Sequence, residues 1–167
     1  MAKKNEEEKT NVMRVLDQKK IAYRHYCYIH AGGDKGPVTN GVEVAAILGE
    51  DVRKVFKTLV TVGKSGQHYV FMIPVAEELD LKKAAAAVSE KSIAMIPQKD
   101  LLPLTGYVHG GCSPIGMKKT FPTTLHETAG HFDTIIFSAG KIGYQVELSA
   151  KDLEKIVRLK YADVITE

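Results

Sequence analysis

One stretch limits the fold before any other is weighed. Val55–Val62 is a β-rich run, Gly63-Lys64-Ser65-Gly66 is a tight turn, and His68–Ile73 is a second β-rich run. Two such runs joined by a short glycine-bounded turn read as an antiparallel hairpin. The chain is therefore committed to a sheet in its middle third. Side chains alternate along a strand. Val55, Lys57, Leu59 and Thr61 share one face; Phe56, Thr58, Val60 and Val62 share the other. Lys57 thus stands in line with apolar neighbours. Such a lysine either snorkels to the sheet edge or projects into a cleft to hold a phosphate or polarise a carbonyl.

The flanking segments mix helices with further strands. Residues 1–9 are mostly charged and read as a disordered tail, which leaves 10–167 as the domain. Thr10 caps a helix carrying Val12, Val15 and Leu16. Ile21–Ile29, dense in tyrosine, reads as a strand, and His30–Asn40 as a loop. Asn40 with Glu43 opens a helix that stops at Gly49. Asp80 caps an alanine-rich helix through Val88. Ile93–Ile96 is a short strand, and Pro97 opens a helix ending near Leu102. Thr134–Phe137 and Tyr144–Leu148 form a second hairpin around Gly140–Gly143. Ser149 with Asp152 starts a last helix with Leu153, Ile156 and Val157 on one side. No internal repeat or linker interrupts the chain. The pattern predicts a single α+β domain with a curved mixed or antiparallel, barrel-like sheet flanked by helices.

The totals exclude several classes. The net charge of the 167 residues is +3, too small for a general nucleic-acid binder, although a local basic patch remains open. No apolar run is long enough to cross a bilayer. The N-terminus lacks the apolar segment of a secretory signal. Cys27 and Cys112 are too few for a disulfide scaffold and point to a reducing cytoplasm.

The chemistry concentrates in Val108–Lys119, which holds Gly110, Gly111 and Gly116, Pro114, and then Lys118 and Lys119. Consecutive backbone N–H groups in such a turn can converge on an anion or an ester oxygen. The same run also reads as a long connection with two tight turns. Cys112 is either a nucleophile activated by those N–H groups or a small semi-buried thiol. Cys27, His30, His109 and Cys112 have the count of a zinc site, but the first pair falls at a strand end rather than in a knuckle, so no metal is expected. His126 and His131, five apart, read as ordinary surface or capping histidines. The carboxylates form no acid–base pair, and no phosphate-binding or dinucleotide fingerprint occurs, so no cofactor is expected.

Val55-Phe-Lys-Thr-Leu59, Gly110-Gly-Cys-Ser-Pro-Ile-Gly116 with Lys118-Lys119, and Ser138-Ala-Gly-Lys with Glu147-Leu148 together resemble the YbaK/EbsC family of aminoacyl-tRNA deacylases. The resemblance runs from about Val12 to Asp163. It implies the fold of the editing domain found in bacterial prolyl-tRNA synthetases. It implies trans-editing of cysteine misattached to tRNA(Pro), with the substrate's own thiol attacking the ester. Carried over by position, Lys57, Gly110 and Gly111 are implied to be catalytic. Tyr28, Thr58, Cys112, Ser113, Ser138 and Gln145 are implied to bind substrate. The implied partners are the acceptor end of aminoacylated tRNA and prolyl-tRNA synthetase, with no membrane.

Two positions depart from the family pattern. Gln145 stands where the best-known members have Asp, and the His30–Asp34 loop lacks an expected His-Asp pair. A neutral Gln145 holds an ammonium only as a dipole acceptor, which bears on which amino acid is removed. Three alternatives stay open: a deacylase for another small residue such as alanine, a hydrolase using Cys112, and a non-catalytic module binding tRNA or a synthetase.

Overall fold

The computed structural model describes residues 9–167. The expected tail therefore lies outside the described residues except for Lys9, which pairs with Asp17. Helix α1 (Asn11–Gln18) begins where the Thr10 side chain accepts from the Met13 amide, and it buries Val12, Met13 and Leu16. Strand β1 (Arg24–Cys27) follows. The 30–40 segment is a loop broken by one 3-10 turn, Gly33–Lys35. Helix α2 (Gly41–Leu48) is capped by the Asn40 side chain, which accepts from the amides of Val42 and Glu43. It ends on Gly49 in the left-handed conformation.

The expected hairpin is present. Strand β2 (Phe56–Gly63) pairs antiparallel with β3 (His68–Pro74), with Lys57 opposite Ile73. Phe56 and Val60 join the main core with Met72 and Val70. Leu59 packs from the other face against Phe71, Ile73 and the alanines of helix α3 (Leu81–Ala87). Strand β4 (Ile93–Met95) pairs with the far end of β2. Helix α4 (Gln98–Thr105) runs past the expected end at Leu102 and through Pro103. Thr105 Oγ1 donates to the Leu101 carbonyl at 2.7 Å, which satisfies one acceptor of the last turn.

Three further features differ from expectation. The segment with His126 is a strand, β5 (Thr123–His126), buried along its length and parallel to β3. Parallel strands covered on both faces lose the alternation by which strands are read. Accordingly, His126 is not a surface group. It is 3% exposed, and its Nδ1 accepts from the Val164 amide at 3.2 Å. The last helix, α5 (Ala150–Leu153), is a single turn capped by Ser149. Leu153 and Val157 are still buried, but the chain then extends into β8 (Leu159–Ala162), parallel to β5.

The strands form two sheets rather than one. The five-stranded mixed sheet has the order β4-β2-β3-β5-β8. The three-stranded antiparallel sheet places β7 (Tyr144–Leu148) between β1 and β6 (Ile135–Ser138). A parallel bridge between Val55 and Ile136 joins them. The sheets meet there without closing a barrel, and the main core fills the angle between them.

Candidate active site

The Val55–Ile136 bridge also assembles the cavity. Two residues beyond it on one strand comes Lys57; two beyond it on the other comes Ser138. Ser138 is the cross-strand partner of Gln145. Tyr28 follows β1, held by its amide on the Gly143 carbonyl at 2.8 Å. A cavity of about 490 Å³ brings together Tyr28, Lys57, Thr58, Gly110, Cys112, Ser138 and Gln145. Its apolar wall comes from Val44, Val75, Met95, Ile96 and Leu101. Sequence reasoning did not assign these residues to a site, because an apolar residue facing a cavity carries the same pattern as one facing the core.

Lys57 is half-buried. Burial pushes its ammonium below the usual lysine range, against the opposing pull of Glu77 and Glu78 after β3. Among the described residues, no carboxylate lies within 4 Å of it and no Asp or Glu lines the cavity. Thr58 Oγ1 is buried without a hydrogen-bond partner in the structure. Leaving a buried hydroxyl unpaired costs about 1–3 kcal/mol. Gln145 Nε2 donates to the Tyr28 hydroxyl at 3.1 Å, and Ser138 Oγ accepts from the Gly140 amide at 3.1 Å.

The glycine loop divides in two. Gly110 lines the cavity with φ +87°, and a Cβ there would stand 3.0 Å from a Thr39 methyl. Gly111 does not line it. Its amide donates to the Val108 carbonyl at 2.9 Å, and a Cβ would meet the Ile142 backbone nitrogen at 2.9 Å. Gly111 is therefore a packing glycine, and its N–H is not free for an oxyanion. Ser113 is likewise outside the cavity, fully buried, with Oγ accepting from the Ile115 amide at 3.4 Å. Lys118 and Lys119 are exposed on the following turn rather than lining the site, and Lys118 Nζ reaches the Pro103 carbonyl.

Cys112 lines the cavity but is not an activated thiol. Burial pushes it up to about 12, the opposite of what a nucleophile needs at neutral pH. Cys27, His30, His109 and Cys112 do not assemble: no cluster of three or more His, Cys, Asp or Glu suited to a metal occurs among the described residues.

A second polar cluster flanks the first. Buried Glu147 accepts from Lys54 Nζ at 2.8 Å, and from the hydroxyls of Thr134 and Tyr26. Burial alone would raise Glu147, but these three donors outweigh it and hold the carboxyl down at about 2. Tyr26 is pushed up to about 12 by burial and by that carboxylate. The cluster ties β1 and β7 to the residue just before the inter-sheet bridge.

Residues 36–156 match the model of the aminoacyl-tRNA editing domain. The chain belongs to this family. A relative from Enterococcus faecalis, named "Putative Cys-tRNA(Pro)/Cys-tRNA(Cys) deacylase EbsC", is 43% identical over 167 residues, covering all of this chain and 99% of its own length. A proline–tRNA ligase from Fervidobacterium nodosum is 32% identical over 81 residues, 48% of this chain and 14% of that enzyme. A solved structure described as "a putative trans-editing enzyme for prolyl tRNA synthetase" superposes with a TM-score of 0.77 at 22% identity, over 96% of this chain and all of the other. That likeness identifies the fold: an editing domain with five helices and two sheets among the described residues.

Proposed function

We propose that this editing domain, residues 10–167, acts in trans as a deacylase that removes cysteine misattached to tRNA(Pro). The reading rests on the full-length match to the EbsC protein. The cavity supports it. Lys57, the one lysine lining it among the described residues, stands among hydroxyl and amide groups, and the cysteine beside them is held in its unreactive thiol form. A site without an activated protein nucleophile suits a substrate that carries its own.

In the proposed reaction the thiol sulfur of the cysteinyl ester bonds to the ester carbonyl carbon. The bond from that carbon to the terminal ribose oxygen breaks, and the thiol's proton ends on the ribose oxygen. The products are a cyclic thiolactone and free tRNA. Lys57 orients the ester and meets charge on the carbonyl oxygen as it develops, with the Gly110 backbone alongside. Thr58, Ser138 and the Tyr28–Gln145 pair shape the floor. No cofactor or metal enters the scheme. Prolyl-tRNA synthetase is the proposed partner, and the cytoplasm, where aminoacyl-tRNA is used, the proposed location.

The test is release of labelled amino acid from Cys-tRNA(Pro), Ala-tRNA(Pro) and Pro-tRNA(Pro). Loss of cysteine alone, with thiolactone recovered, is the expected result. Intact Cys-tRNA(Pro) at micromolar protein would sink the proposal.

A further inference from the structure

Among the described residues, the side chains lining the cavity supply hydrogen-bond donors and no negative charge, with the Gln145 carbonyl oxygen as a neutral acceptor. Lys57 is the one lysine among them. The Ser138 oxygen already accepts from Gly140, which leaves its proton to donate. The Tyr28 oxygen accepts from Gln145, so its proton too points elsewhere. Glu77 and Glu78 act on Lys57 from the turn after β3, but neither lines the cavity. Gln98 and His109, both exposed, add no carboxylate.

An aminoacyl ester with a free amine brings an α-ammonium, three donors and a positive charge, one carbon away from the ester carbonyl. A pose that puts the ester against Lys57 therefore brings two cations close together in a partly desolvated site, with no carboxylate between them. An N-acylated ester has no such charge, and its added carbonyl is an acceptor for the hydroxyls of Ser138 or Tyr28.

Resting on the ester-cleavage reading above, we propose that this cavity accepts aminoacyl-tRNA whose α-amine is neutral. N-acylated aminoacyl-tRNA is then a second substrate class, cleaved with at least the enhancement given to the free-amine ester. The bonds made and broken are unchanged: N-acetylcysteinyl-tRNA would yield N-acetylcysteine thiolactone and free tRNA, the thiol proton passing to the ribose oxygen.

The experiment compares Cys-tRNA(Pro) with N-acetyl-Cys-tRNA(Pro). Each kcat/KM is divided by the rate of spontaneous loss of the same ester in buffer, because acylation alone makes the ester less labile. The expected normalised value for the N-acetyl ester is equal to or above that of the free-amine ester, to within about three-fold. Gln145→Glu, which adds a carboxylate at the wall, is expected to move the ratio about five-fold or more toward the free amine. Cleavage of Cys-tRNA(Pro) with a larger deficit for the N-acetyl ester overturns this inference and leaves the editing reading standing. An unmoved ratio in folded Gln145→Glu also overturns it, and the wild-type ratio decides alone should that variant fail to fold. Loss of neither ester overturns the editing reading and this inference with it.

Discussion

The Gln145 side-chain amide donates to the Tyr28 hydroxyl at 3.1 Å, although the two residues stand 117 positions apart in sequence. Gln145 comes from the middle strand of the smaller sheet, and Tyr28 is the residue that follows its edge strand β1. The bond fixes the floor of the cavity. Tyr28→Phe removes it and leaves a buried amide donor unpaired. A loss of about 1–3 kcal/mol in urea unfolding is expected, together with a lower editing rate; unchanged stability would mean the amide finds another partner.

Lys57→Ala is expected to lower kcat/KM for Cys-tRNA(Pro) by about 100-fold or more, the usual scale for removing one stabilising donor at a reacting carbonyl. The melting temperature should hold or rise slightly, since Lys57 is half-buried without an ion-pair partner. A large drop in melting temperature accompanying the rate loss would assign the residue a structural role instead.

Cys112→Ala should keep the editing rate within about three-fold of wild type. With the thiol pushed up to about 12 by burial, it stays protonated at neutral pH and is a poor nucleophile. Iodoacetamide should accordingly label Cys27 before Cys112. An inactive, folded Cys112→Ala would restore this cysteine as the nucleophile.

Gly111→Ala acts on stability. Its Cβ would sit 2.9 Å from the Ile142 backbone nitrogen, a contact backbone must move to relieve. Overpacking of this kind costs about 1–3 kcal/mol, readable as a lower urea midpoint. Retention of wild-type stability would show that the 141–143 turn yields freely.

Glu147 should make stability depend on acid pH. Its carboxyl, held at about 2, is well below its ordinary value of 4.5. The stabilisation from its ionised form is thus complete above the unfolded value and is lost as pH falls from about 4.5 toward 2. Glu147→Gln takes the nearer carboxylate from Lys54, which keeps Glu50 at 4.0 Å and the Thr134 hydroxyl, and should cost about 3 kcal/mol at pH 7. Urea midpoints of the two proteins should converge as pH falls from about 4.5 toward 2; a gap constant with pH would contradict the assignment.

Much of the fold was legible because its signals are local. The caps at Thr10, Asn40, Asp80 and Ser149 need only a side-chain oxygen and the next turn of backbone. The β2–β3 hairpin needs only two β-rich runs and the turn between them. The site was legible differently. Lys57 and the Gly110–Gly111 loop stood out from strand alternation and loop composition, but a family resemblance grouped them with Ser138 and Gln145, since nothing in their spacing brings them together. The same resemblance placed Gly111 and Ser113 in the site, because position in a motif does not record which loop residues face a cavity. Which amide of the Gly110–Gly111 pair is committed to Val108 depends on the path of the loop over Ile142.

By itself the sequence determined the α+β class, the central hairpin, the helix starts and the isolated lysine on an apolar strand. Each follows from side-chain periodicity or from the conformational limits of a few adjacent residues. Only the tertiary structure decided that β5 and β8 run parallel beside β3, that two sheets meet at Val55 and Ile136, and that Cys112 is buried into inertness. Parallel pairing and burial join segments distant in the chain. Their energy resides in contacts that exist only once the whole core has closed, so no short window of residues records them.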